Sequence, residues 1–171
     1  SPTAGDDSLN AAVFAGLVGV GLTMLYMIAY YRRLAVVIIL GLVVWAGLVY
    51  VLSTWVSRET NYAFTIAGAT GVIVSIGVTV VTYIVFFERL KDEVRSGRSL
   101  RNAAPRAFTA TWRTILAANT VALLSAVVLF VLSVGSVKGF ALYLGMTTVC
   151  DLIVFYFFTR PALYLLSDTR F

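Results

Sequence analysis

The chain has 171 residues, 60% of them hydrophobic and 12% charged, with a mean hydropathy of +0.94. Soluble domains carry about 25% charged residues, so this composition excludes an ordinary soluble fold, and the absence of histidine excludes histidine-based catalysis and metal ligation. A formal charge of +5 would suggest a nucleic-acid partner in a soluble domain, but in a membrane chain it marks basic segments on one side of the bilayer, so none is expected.

The apolar runs are continuous and about 20 residues long, as transmembrane helices require; a barrel would show shorter, alternating segments. The expected fold is an all-α, polytopic membrane helix bundle of five spans, one domain over residues 1–171. Residues 1–9 are polar and belong outside the bilayer, with Ser8 or Asn10 as the N-cap of the first span. That span covers about 11–30 and is rich in small residues, namely Gly16, Gly19 and Gly21. It ends in an aromatic cluster of Tyr26, Tyr30 and Tyr31, followed by Arg32 and Arg33. The second span, about 34–51, returns at once, and residues 53–61 read as a polar loop. The third span is about 62–87. Its apolar run passes straight into Glu88 and Arg89, so Phe86-Phe87-Glu88-Arg89 marks a membrane–water boundary.

Residues 88–113 form the longest segment outside the membrane, with seven basic residues against Glu88, Asp92 and Glu93. They read as a helix extension to Arg95, a break at Gly97 and an amphipathic surface helix around Pro105. The fourth span is about 114–134, residues 135–139 are a turn, and the fifth span is about 140–159, stopped by Arg160 and Pro161. The lone Cys150 lies within an apolar run and has no partner for an intrachain disulfide. Of the thirteen basic residues, eleven fall on one side of this topology; only Arg58 and Lys138 fall on the other. By the positive-inside rule the eleven are cytoplasmic, the N-terminal end is external and the C-terminus cytoplasmic. An external start with an odd number of spans suggests a preceding span and external domain.

Ionisable residues within the bilayer are costly and mark function. Asp151 is the acid placed well inside a span, about 12 residues or roughly 18 Å from its external end. Low-dielectric surroundings penalise its charged form, so it is a candidate proton carrier; the competing structural reading is a protonated carboxyl that bonds a neighbouring helix. Thr147 and Thr148 precede it by one turn. Asn119 in span four and Thr79, Thr82 and Tyr83 in span three lie at matching depth, so three helices could build one polar layer. Structural hydrogen bonding is the plainer role for Asn119 and the threonines. Ala67, Gly71, Ser75 and Thr79 recur every four positions, as do Ala118, Ala122 and Ala126; both sets read as small-residue ridges for close helix packing. No nucleotide loop, metal cluster or nucleophile–base set occurs, so no enzymatic activity is expected.

Ser1-Pro2-Thr3-Ala4-Gly5-Asp6-Asp7-Ser8-Leu9 before a span resembles the opening of the C-terminal membrane domain of the SecD family. So do Phe86-Phe87-Glu88-Arg89-Leu90-Lys91-Asp92-Glu93-Val94, Gly97-Arg98-Ser99-Leu100-Arg101, Arg113-Thr114-Ile115-Leu116-Ala117-Ala118-Asn119 and Val137-Lys138-Gly139-Phe140-Ala141. The resemblance covers essentially the whole chain. It implies the last five helices of a six-helix domain of the resistance–nodulation–division superfamily, in a bacterial inner membrane. It further implies work beside a SecF-like subunit and the SecYEG channel, using the proton gradient to complete preprotein export. No cofactor is implied beyond the proton as coupling ion. The family's usual intramembrane acid falls at Val81, so either that relay is absent or Asp151 serves instead. Two other readings follow: a non-conducting membrane scaffold, favoured by Val81, and a lipid or small-molecule exporter domain of the same superfamily.

Overall fold

A computed structural model describes residues 2–60 and 65–168. All regular elements among them are helical. In chain order these are α1 (Pro2–Tyr31), a 3-10 turn (Arg32–Leu34), α2 (Ala35–Thr60), α3 (Ile66–Arg95), α4 (Leu100–Leu132), α5 (Ser136–Val154), a π-helical turn (Phe155–Thr159) and α6 (Arg160–Asp168). Among the described residues, five stretches are long and apolar enough to cross a membrane: Val13–Tyr31, Ala35–Arg58, Ile66–Arg95, Leu100–Leu132 and Ser136–Leu165.

Helices α3, α4 and α5 pack against one another and form the centre. Helix α2 leans on α5, and α1 rides on α3 and α2 at the periphery. Close approach of α3 and α5 depends on Gly71. A Cβ there would stand 2.8 Å from the backbone oxygen of Phe140 and 3.3 Å from the backbone nitrogen of Leu144. Backbone cannot yield as a side-chain tip can, so Gly71→Ala should destabilise the bundle by about 1–3 kcal/mol, the usual range for overpacking. Gly77→Ala is the matched control, because nothing lies within 4 Å of its added Cβ. Thermal unfolding in detergent should show a lower midpoint for the first and little change for the second.

Helix ends run past the apolar stretches. The N-terminal polar residues are helical from Pro2, so neither Ser8 nor Asn10 is a cap. Residues 53–60 continue α2 rather than forming a loop; residue 61 and the start of the expected third span, 62–64, lie outside the described residues. The segment 88–113 is a helical hairpin. Helix α3 continues to Arg95, and α4 starts at Leu100 with Ser99 as N-cap. It runs unbroken through Pro105, although that proline lies in the second turn and forfeits one intrahelical hydrogen bond. The turn expected at 135–139 shrinks to Gly135, whose φ of 63° suits glycine, before α5 begins at Ser136. Arg160 and Pro161 do not stop the chain. The backbone N–H of Arg160 bonds Phe155 O in the wider π pattern, and α6 follows. Cys150 is fully buried, packed with Trp45, Val49 and Val154.

Candidate functional site: a buried carboxyl among helices α2, α3 and α5

An aromatic core closes one end of the bundle. Phe86 and Phe87 are almost completely buried. Phe86 meets Phe155 edge-on at 5.4 Å, and Phe108 stacks on Phe155 at 5.7 Å and on Trp112 at 5.4 Å. The boundary motif therefore has a structural division of labour. Its phenylalanines fill the core, while its charges tie helices together. The Tyr31 hydroxyl donates to Glu88 Oε1 at 2.9 Å, and Lys91 Nζ donates to the same oxygen at 3.3 Å. Lys91 also lies 3.7 Å from the Tyr30 ring centre and 4.4 Å from that of Tyr31. Arg89 pairs with Glu93 at 3.0 Å within α3. Tyr31→Phe should loosen the otherwise lightly packed α1, at a cost of about 1 kcal/mol for a half-exposed, charge-assisted bond. Faster proteolysis at the Arg32–Leu34 turn, with the rest of the bundle intact, would register it.

Above this aromatic floor lies Asp151, on α5, with 4% of its surface exposed. Thr79 of α3 is the polar side chain that faces it. The same hydroxyl lies 2.9 Å from the Ser75 carbonyl of its own helix. Thr79 thus has one proton for two possible acceptors, and in this structure it goes to Ser75. With Asp151 ionised, the proton belongs on the carboxylate. With Asp151 neutral, Thr79 donates to Ser75 and its oxygen can accept from the carboxyl. Asp151 Oδ2 has no hydrogen-bond partner among the described residues. Buried polar atoms are nearly always satisfied, so a half-satisfied carboxyl here is an exception with chemical potential rather than a packing element.

The other residues of the expected layer are buried but differently engaged. Thr82 bonds Val78 O, Thr148 bonds Leu144 O, and Thr147 bonds Tyr143 O, each within its own helix. This back-bonding is what threonine does inside helices, and it uses the donor that each could have offered Asp151. Asn119, 1% exposed, gives its amide to Ile115 O at 2.9 Å and leaves Oδ1 without a partner. No hydrogen bond joins it to Asp151 among the described residues. Tyr83 reaches past the acid to Thr159 of the π turn at 3.1 Å. The layer is therefore three separate polar groups rather than one network: Asp151–Thr79, Tyr83–Thr159 and Asn119.

Sequence reasoning missed Gly41, Trp45 and Thr159. An added Cβ at Gly41 would fall 2.1 Å from the Tyr83 hydroxyl, so this glycine of α2 makes the Tyr83–Thr159 contact fit. Trp45 Nε1 of α2 donates to Thr147 O, one turn before Asp151, at 3.4 Å. Of the packing residues, Gly71 and Ser75 are buried, Ala122 is half-buried and Ala118 is exposed. Ala126 and Asn119 mark the face of α4 that turns inward.

Val81 is 57% exposed. Two residues from Thr79, it lies about 200° around the helix. Its exposed neighbours Ile66, Thr70, Val74, Gly77 and Val85 continue one outward stripe along α3. Val81 and Asp151 therefore address opposite surroundings, one outward and one inside the bundle.

The family model described as "Protein export membrane protein SecD/SecF, C-terminal" matches residues 1–169. The chain belongs to this SecD/SecF family. Protein translocase subunit SecD of Mycobacterium tuberculosis is 43% identical over 169 residues, covering 99% of this chain and 30% of the relative. Protein translocase subunit SecDF of Bacillus subtilis is 32% identical, covering 97% of this chain and 22% of the relative. The crystal structure of the translocon-associated membrane protein SecDF from Thermus thermophilus superposes with a TM-score of 0.91 at 31% identity, over 98% of this chain and 23% of that one. The helix bundle is thus a SecD/SecF membrane domain, and it spans about a third or less of these relatives.

Proposed function

We propose that this chain is the membrane domain of a SecD-type accessory subunit of the preprotein translocase. In this reading, protonation of Asp151 changes the packing of α3 against α5, and that movement drives an external domain as export is completed. One observation carries the reading: a carboxyl buried at the centre of the bundle with one unsatisfied oxygen, faced by a Thr79 hydroxyl that now donates to Ser75 O and could turn to donate to it instead. The coupling ion is the proton, with no other cofactor, and the activity is transport rather than enzymatic. The partners are a SecF-like subunit and the SecYEG channel in a bacterial inner membrane. The SecF-like subunit covers the outward stripe of α3 that includes Gly77 and Val81. That stripe supports the assignment because the rest of α3 is packed against α1, α4 and α5, which leaves this one face open. The basic residues favour an external N-terminal end and a cytoplasmic C-terminus.

The test is export in cells that depend on the full-length parent. Asp151→Asn there should let unprocessed preprotein accumulate while the subunit still co-purifies with its partners; normal export would count against the reading. A non-conducting scaffold is the second reading, and Val81 favours it. Proton flux into liposomes holding the parent and its SecF-like partner separates the two. Flux that is lost in Asp151→Asn supports coupling, whereas no flux in either protein supports a scaffold.

A further inference from the structure

We propose that a cleft between the end of α3 and the start of α4 binds the phosphate headgroup of an anionic membrane lipid, with Arg89 and Arg106 as its ligands. The cleft is a shallow, open depression of about 580 Å3 lined by Arg89, Glu93, Pro105, Arg106, Thr109 and Ala110. Its charge is unbalanced. Glu93 is the one carboxylate in the lining, and both its oxygens are engaged, Oε1 by Arg89 at 3.0 Å and Oε2 by Arg98. Arg106 is exposed and has no ion-pair partner among the described residues. The one carboxylate is thus already held by two guanidiniums, and Arg106 adds a third positive charge to the cleft with no carboxylate of its own. A phosphate monoester or diester, with acceptor oxygens spaced for planar guanidinium donors, is the complementary ligand.

Position selects a lipid over a free anion. Arg89 follows directly on the buried Phe86 and Phe87, where the apolar part of α3 ends. From Ala110 in the cleft, an outward stripe climbs α4 through Thr114, Ala117, Val121, Leu124 and Val128, all exposed. Its upper part borders a shallow apolar groove of about 440 Å3. A headgroup at the arginines would lay an acyl chain along this stripe. The cleft also lies on the membrane side that holds most basic residues, and such clusters attract anionic lipids.

The experiment uses the protein in nanodiscs with Trp45 and Trp55 replaced by phenylalanine, leaving Trp112, about 9 Å along α4 from Arg106, as the reporter. Brominated phosphatidylglycerol should quench Trp112 more than brominated phosphatidylcholine at equal mole fraction. Arg106→Gln should cut that preference about fivefold, the factor for one basic residue at an anionic surface. Arg89→Gln/Arg106→Gln should abolish it, and the charge-matched Arg95→Gln/Arg113→Gln should retain it. If the double variant unfolds through loss of the Arg89–Glu93 pair, the single Arg106→Gln, which breaks no ion pair, decides. Equal quenching by both lipids, or a preference unchanged in Arg106→Gln, overturns the proposal. So does inorganic phosphate that removes the preference at unchanged ionic strength, since the ligand would then be the free anion.

Discussion

Asp151→Asn should leave the bundle folded and remove its response to pH. Asparagine keeps the shape of the carboxyl and can still accept from Thr79, so stability should stay within about 1 kcal/mol of wild type, as for a volume-conserving change. What it cannot do is gain or lose a proton. Trp45 is a built-in reporter, since its indole donates to Thr147 O one turn from the acid. With Trp55 and Trp112 replaced by phenylalanine, Trp45 emission should shift with pH when Asp151 is present and stay constant in the asparagine variant. An equal shift in both proteins would place the titrating group elsewhere. Asp151→Leu is the harsher companion. It removes the acid but also leaves Thr79 facing an apolar side chain, and it should alter α3–α5 packing as well as the pH response.

The second large effect concerns the opposite face of α3. Val81→Asp places an acid on an outward surface of α3. In the isolated chain that carboxyl meets lipid, at a cost of about 2.5–3.5 kcal/mol near the bilayer centre. A partner bundle that seals the α3 stripe and offers it polar groups would relieve much of this. Thermal unfolding of Val81→Asp alone and with the SecF-like subunit should therefore show a large loss that association partly restores. If the loss is equally large in the complex, the α3 stripe is not the partner face.

The spans were legible because hydrocarbon tolerates nothing shorter or more polar. Their ends were not. Hydropathy falls at Leu52 and Phe87, but the helices continue to Thr60 and Arg95. A polar residue ends an apolar run without ending a helix; a helix ends where the backbone leaves the helical conformation, as just after α3 at Gly97, which has positive φ, and at Ser133, whose backbone is extended. Asp151 was legible from residue type and depth, and Thr79 from its matching level. Thr159 was not, because the π turn adds a residue to the local repeat and rotates every later side chain. Gly41 was hidden for another reason. A glycine among many in an apolar helix shows its role only when a tyrosine from a different helix is seen against it. The α4 ridge illustrates a third limit. Positions four apart drift by about 40° per step on a helix of 3.6 residues per turn, so Ala126 faces inward while Ala118 has rotated to the outside.

The same geometry recasts the boundary motif. Phe86 and Phe87 lie in the aromatic floor beneath Asp151, and Glu88 holds α1 through Tyr31. A packing change around Asp151 would therefore be felt by α1 through Tyr83, Phe87 and Tyr31, whose rings are in succession 6.3 Å and 5.5 Å apart. Tyr83→Ala should break that sequence of contacts and uncouple the mobility of α1 from the state of the acid.

The central claim is that Asp151 exchanges a proton while buried in the membrane. Infrared difference spectroscopy of the full-length parent in liposomes tests it most directly. Lowering the pH should raise a protonated-carboxyl band that is missing in Asp151→Asn and retained in Glu93→Gln. A wild-type spectrum whose carboxyl bands respond to pH identically with and without Asp151 would contradict the account.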